Sequence, residues 1–302
     1  MATSILITGA SGLIGARLTE RLMQGGHRVA HLGRTRKSGA VPSFVWDMEK
    51  REMDPHALDG IDVIVHLAGA GVADKRWSPQ RKQEIRESRT RSSGMLFETL
   101  KHTQHNVKAV VSASAIGYYG FGLDSADLTE ESNPGDDYLA RVVVEWEKEV
   151  ERIAALAIRV ATIRIGIVLS DKGGALKKMA APVRWGCGAP LGTGNQIVSW
   201  IHIEDLCSIF IQAIADKCMI GTYNAVGPHP VTNREMTQAI AHVMQRPLWL
   251  PPVPSFVLHI LLGEMADIII NGSHVSAARI ERTGFKFQFP ELEGALSDLL
   301  KK

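Results

Sequence analysis

Residues 5–15 read ILITGASGLIG, an apolar run broken by glycines at positions 9, 12 and 15. Ile5, Leu6 and Ile7 have the character of a buried strand. From Leu13 the apolar residues Leu13, Leu18, Leu22 and Met23 recur near helical spacing until Gly25 and Gly26 stop them. The glycines therefore fall where a strand gives way to a helix. A turn that holds a dinucleotide needs one glycine for the tight bend and a second for backbone approach to a pyrophosphate. A third lets the helix pack on the strand. The helix N-terminus then turns its partial positive charge toward the phosphates. Ser11 adds a hydroxyl and an N–H. Gly9, Ser11, Gly12, Leu13 and Ile14 are the first cofactor-binding candidates.

The next apolar run, HRVAHLGRTRKS at residues 27–38, decides which dinucleotide. A site specific for NAD places Asp or Glu about 20 residues after the glycine loop, on the ribose 2′-hydroxyl. Here Gly33 and Arg34 stand there, with Arg36 and Lys37 behind. A guanidinium pairs with a 2′-phosphate and offers no acceptor to a bare diol. The expected cofactor is NADP(H). Asp47 is a weaker candidate for the adenine amino group.

Outward from this turn the chain alternates short apolar runs with longer amphipathic ones. IDVIVHLAGA (61–70), VKAVVSASA (107–115) and RVATIRIGIVLS (159–170) read as further strands, and the spacing predicts a helix over residues 79–101. Near-continuous apolar strands separated by helices imply an α/β fold, a doubly wound parallel sheet of Rossmann type. After about residue 170 glycine, proline and basic residues increase. The expected organisation is a nucleotide-binding domain over 1–170. A smaller, mostly helical region over 171–302 is expected on the substrate side, interleaved with the end of the sheet. Thr232 and Glu235 have the spacing of a capping box.

Composition narrows the function classes. The 302 residues are 45% hydrophobic and 22% charged with a net charge of +2, so no nucleic-acid surface is expected. No apolar run reaches the roughly 18 residues that span a bilayer. No membrane partner and a cytoplasmic location are the expectations. Cys187, Cys207 and Cys218 lie far apart without a C-x-x-C pair, which reads as buried free thiols and no metal site.

In order along the chain, TGASGLIG, HLAGAGVADKRW, SRTRSS, SASAIGYYG, VVVEWE, RIGIVLS, WIHIEDL and RTGFKFQFPELEGAL resemble the extended short-chain dehydrogenase/reductase superfamily. The kind is the NAD-dependent epimerase/dehydratase one, in its YfcH-like branch. The resemblance implies that Leu67, Ala68 and Gly69 line the cofactor channel. It also implies that Glu84 and Arg89 face the cofactor and that Gly166 and Ile167 pass the nicotinamide. Ser112 and Ser114 match the segment that supplies the active-site hydroxyl, with Ser114 the nearer to a substrate carbonyl. Trp200, His202 and Asp205 match the segment that closes the substrate side. A homodimer is the ordinary expectation in this superfamily.

One feature of the superfamily is missing. A catalytic Tyr is normally followed four residues later by a Lys, one helical turn away on the same face. The chain has four tyrosines, at 118, 119, 138 and 223, and the residues four further on are Gly122, Leu123, Val142 and Gly227. Alignment on Glu147 instead puts Leu139 and Val143 in the two slots. Another group has to serve as acid or base. Tyr118, beside Ser114, is the candidate, with Tyr119 and His202 as alternatives. Lys75, Arg76 and Trp77, together with Arg184 and Trp185, suit an anionic small-molecule substrate such as a nucleotide sugar. The expected function is an oxidoreductase or sugar-nucleotide epimerase with a non-standard acid/base. The alternative is a non-catalytic NADP(H)-binding sensor or interaction module.

Overall fold

A computed structural model describes residues 2–121 and 123–301. Its centre is an eight-stranded sheet. In chain order the strands are β1 (Ser4–Thr8), β2 (Arg28–Gly33), β3 (Ser43–Asp47), β4 (Glu52–Met53), β5 (Val63–His66) and β6 (Ala109–Ala115). β7 (Leu123–Leu128) lies outside the sheet, and β8 (Arg159–Ile165) returns to it. Beyond come β9 (Ile167–Leu169), β10 (Ile197–Val198), β11 (Trp200–His202), β12 (Gly221–Ala225), β13 (Val231–Thr232) and β14 (Ser273–Val275). The sheet order is β12-β8-β6-β5-β1-β2-β3-β4, parallel throughout except for the β3–β4 edge. The chain reverses direction across the sheet between β1 and β5, where a doubly wound fold opens its ligand crevice.

The helices are α1 (Leu13–Gln24), α2 (Pro79–His102), α3 (Tyr138–Glu151), α4 (Gly174–Arg184), α5 (Ile203–Ala215) and α6 (Asn233–Val243). Four short ones follow, α7 (Ser255–Leu262), α8 (Asp267–Ile270), α9 (Ala278–Arg282) and α10 (Leu292–Leu300). α1 stops at Gly25, and α2 extends one residue past its predicted end. α6 starts with the expected capping box: Thr232 accepts from the Glu235 amide, and the Glu235 carboxylate accepts from Thr232. The core is the aliphatic sheet itself, with Ile5, Leu6, Ile7, Ile64, Val65, Val110 and Val111 buried.

Two expectations change. RVATIRIGIVLS is not one strand. It breaks at Gly166, where a Cβ would lie 2.5 Å from the Ser199 carbonyl, and β9 leaves the sheet to pair with β11. Of the three free cysteines only Cys207 is buried; Cys187 and Cys218 sit in exposed turns. No helix among the described residues is long and apolar enough to cross a membrane.

Candidate functional site

The crevice begins at the C-terminal ends of β1 and β5. Gly9 has φ +68°, and a Cβ there would stand 2.6 Å from the Leu67 carbonyl. Only glycine allows the loop to lie this close to the β5 end. Gly15 packs the first turn of α1 against the same loop, where a Cβ would be 2.6 Å from the Gly9 carbonyl. Gly12 caps α1 without a side chain, so the helix N-terminus is open to a ligand. Ser11 and Gly12 are exposed; Leu13 and Ile14 are half-buried.

The β5 side of the crevice is stitched to β1. Thr8 Oγ1 accepts from the amides of Leu67 at 3.0 Å and Ala68 at 3.2 Å, and lies 2.8 Å from His66 Nδ1. With two amide protons already accepted, the Thr8 hydroxyl directs its own proton to Nδ1. The ring proton is then on Nε2, facing Ser93 Oγ at 3.1 Å. Burial pushes the His66 imidazole down to about 4, so the ring is neutral near pH 7. Thr8 and His66 were missed in the sequence. The signal was a polar residue ending each of two adjacent, otherwise apolar strands.

Several cations lie around this wall. Arg34 follows β2 and Gly33, is exposed, and has no hydrogen bond or ion pair among the described residues. Its neighbour Arg36 is committed to Asp54 at 2.8 Å. Arg89, on α2, lies against Gly69, where a Cβ would be 3.2 Å from its Cζ. It donates to the Ile85 carbonyl at 2.9 Å and has no carboxylate partner among the described residues. Burial pushes it down to about 10, still protonated near neutrality. Arg81, by contrast, is bound to Glu84 at 2.5 Å. That bond, with Lys75 and Arg34 adding to it, holds the Glu84 carboxyl below the usual carboxylate range.

Alignment on Glu147 led to the expectation that Leu139 and Val143 stand in the two catalytic slots. Leu139 and Val143 are buried against the turn Ile116–Tyr119, with side-chain carbons 3.7 Å and 4.0 Å from where a Gly117 Cβ would be. One turn further along α3, Glu147 accepts from Ser114 Oγ at 2.5 Å and from Arg164 at 2.9 and 2.8 Å. Arg164 Nη1 donates to the Tyr119 hydroxyl at 3.0 Å, which donates to Asn224 Oδ1 at 2.7 Å. Burial works against the Arg164 cation, but Glu147 and Tyr119 outweigh it and hold the group above the ordinary arginine range. Burial also pushes the Tyr119 phenol up to about 12. Tyr118 is half-buried, and its ring lies 3.4 Å from the Arg164 Cζ. Ser112 is buried and donates to the Ala113 carbonyl at 3.0 Å. Tyr138 is elsewhere, donating to the Lys82 carbonyl at 2.6 Å.

On the far side, His202 caps α5, accepting from the Glu204 amide at 3.1 Å, and stacks on Phe289. Asp205 accepts from the amides of Gln288 at 2.7 Å and Phe289 at 3.0 Å. Both are buried and fasten the C-terminal segment. Trp200 is buried too and donates to the His229 carbonyl. Ile167 is half-buried at the start of β9. Lys75 and Arg76 are exposed, and Trp77 packs edge-on to Tyr138 at 5.2 Å. A cleft of about 720 Å³ opens beside the glycine loop, lined by Ser11, Gly12, Leu13, Ser170, Lys172 and Gly174. No group of three or more metal-ligating side chains occurs among the described residues.

Residues 5–227 match the NAD dependent epimerase/dehydratase family, and residues 253–299 match a domain of unknown function (DUF1731). An Arabidopsis thaliana chloroplastic homolog of epimerase family protein SDR39U1 is 36% identical over 307 residues, covering 99% of this chain and 87% of its own. The crystal structure of human epimerase family protein SDR39U1, isoform 2, with NADPH superposes with a TM-score of 0.91 at 31% identity, over 99% of this chain and 100% of that one. A nucleoside-diphosphate sugar epimerase from Corynebacterium glutamicum gives a TM-score of 0.82 at 32% identity, over 99% of this chain and 58% of that one.

Proposed function

The chain belongs to the NAD dependent epimerase/dehydratase family, and from that premise we propose that it is an NADP(H)-dependent oxidoreductase or nucleotide-sugar epimerase with a non-standard acid/base group. The observation that carries the cofactor reading is Arg34. It stands at the end of β2, where the 2′-substituent of a dinucleotide arrives, and it makes no hydrogen bond or close ion pair among the described residues, only a longer-range attraction to Glu84. The NADPH bound by the human relative supports the same reading. Gly9, Ser11, Gly12 and the α1 N-terminus would hold the pyrophosphate, with Leu13 and Ile14 behind them. Leu67, Ala68, Gly69 and Ile167 would line the channel. Arg89, a half-buried cation without a carboxylate, fits a phosphate oxygen of the same ligand.

The bound nicotinamide would supply hydride transfer. What this chain adds is positioning and a proton. Leu139 and Val143 cannot move one, and the Ser114 proton is directed at Glu147. Tyr118 is the hydroxyl left in the half-buried rim of the site, and it is assigned as the proton donor. The Lys75, Arg76 and Trp77 loop suits a small anionic substrate, and a nucleotide sugar is the class named for the Corynebacterium relative. A non-catalytic NADP(H) sensor is the second reading, favoured by the apolar filling of both catalytic slots.

Titration of NADPH and NADH by quenching of protein fluorescence tests the cofactor. Arg34→Ala is expected to weaken NADPH by roughly 10- to 100-fold and leave NADH unchanged. Equal affinities in the wild type overturn the reading. NADPH deuterated at the transferable position, incubated with a metabolite extract, tests the chemistry. Deuterium in a product that disappears with Tyr118→Phe supports the enzyme. Saturable binding without label rules out net hydride transfer from NADPH, and if incubation with NADP⁺ also leaves every sugar epimer ratio in the extract unchanged, the sensor is supported.

A further inference from the structure

Seven large apolar side chains are strongly exposed among the described residues, and five of them belong to one region. Trp185, Trp249, Phe256, Ile260 and Leu261 are between 65% and 82% exposed. Soluble chains place such residues singly; clustered, they mark a surface that meets something apolar. The segments that carry them are tied together. Trp249 Nε1 donates to the Gly186 carbonyl at 3.0 Å, next to Trp185. The Val253 carbonyl accepts from Gly192 at 2.9 Å and its amide donates to Pro190 at 2.8 Å, just before α7 begins. Phe256 and Ile260 stand one turn apart on α7, and Leu258 is the helix's only buried residue.

Cations predominate around this surface. Residues 172–203 and 236–263, which supply it, contain no Asp or Glu. Lys177, Arg184 and Arg246 are exposed within them. The first acids beyond are Glu264, which is paired with Lys82, and Asp267, which lies 3.7 Å from the His259 ring.

We propose that the face formed by Trp185, Trp249, Phe256, Ile260 and Leu261, with its cationic surround, docks on an anionic lipid bilayer. Indole rings favour the level of the headgroups, while Phe, Ile and Leu reach the acyl boundary and the cations meet lipid phosphates. A second copy of the chain is a poorer occupant. About a two-fold axis Arg184 and Arg246 would face their own like-charged surroundings. The expectation of no membrane partner rests on spanning length, which an interfacial surface does not need.

The test is co-sedimentation of the full chain with vesicles of phosphatidylcholine alone and with phosphatidylglycerol added. Binding is expected to be about tenfold stronger or more on the anionic vesicles and to fall with salt. Brominated lipid is expected to quench tryptophan fluorescence. Phe256→Ser with Ile260→Ser should abolish binding, and Arg184→Glu with Arg246→Glu should abolish the preference for anionic lipid. Thermal unfolding checks that both pairs stay folded, since all four side chains are exposed. Equal binding to the two vesicle types, or binding unchanged by either pair, overturns the proposal. A wild-type dimer in sedimentation equilibrium that Phe256→Ser with Ile260→Ser converts to monomer overturns it in favour of a second copy.

Discussion

Ser114 Oγ lies 2.5 Å from the Glu147 carboxylate, which also takes both arms of the Arg164 guanidinium. The hydroxyl expected to face a substrate therefore belongs to a buried ion-pair network. Glu147→Ala would leave Arg164, 4% exposed, without its counter-charge. The expected cost is about 3–5 kcal/mol in urea unfolding. Ser114→Ala should cost about 1 kcal/mol, the ordinary value of one hydrogen bond. Similar losses for the two variants would mean that the pair does not carry the network.

Restoring the superfamily's residues should fail. Val143 is 4% exposed and faces the turn before Tyr118. Leu139→Tyr with Val143→Lys places an ammonium in an apolar slot already filled. The double variant is expected to lose about 3 kcal/mol or more, as a buried unpaired charge does. Deuterium transfer should not increase. A stable, more active variant would show that the slots are vacant in function and not rebuilt.

The neutral His66 ring sets a pH dependence. Its folded value of about 4 lies below the ordinary histidine value near 6.5. Between these limits the unfolded chain binds a proton that the folded chain refuses. The stability His66 contributes is complete above about pH 6.5 and is lost as pH falls toward 4, by about 3 kcal/mol in order of magnitude. Urea midpoints measured across this range should drop, and His66→Gln should flatten the slope. An unchanged slope in the variant would assign the dependence to other groups.

Asp205 fixes the C-terminal segment through two backbone amides. Asp205→Ala should remove both hydrogen bonds to the carboxylate and cost about 2–3 kcal/mol, at roughly 1–1.5 kcal/mol for each bond to a charged group. Hydrogen exchange at Gln288 and Phe289 should rise with little change in β1 and β5. Uniform acceleration across the chain would make Asp205 a general support of the fold.

The sheet was legible because its strands are short, aliphatic and separated by helices that begin and end on glycine, proline or a capping residue. Gly9 and Gly15 were readable as contacts because nothing larger fits there. The absence of the Tyr–Lys pair was also plain from the spacing of four tyrosines. The network around Ser114 was not legible, since Ser114 and Tyr119, Glu147, Arg164, and Asn224 lie on four separate stretches of chain that only tertiary folding brings together. His202 and Asp205 could be read either as substrate-side groups or as structural ones, and in the fold both are buried and hold backbone amides. Gly166 read as part of a strand because a single glycine in an apolar run gives no sign that the pairing partner changes.

β14, near the end of the chain, pairs with β7, and Ser273 Oγ donates to the Gly120 carbonyl at 2.8 Å. The Ser276 carbonyl takes an amide proton of Asn224 at 3.2 Å, the same residue that holds Tyr119. During synthesis the nucleotide-binding half leaves the ribosome first and can form its sheet early. The Asn224 end of the polar network is not fully held until residue 276 has cleared the exit tunnel. A nascent chain would thus form the glycine-loop crevice before the last support of Tyr119 and Asn224 arrives.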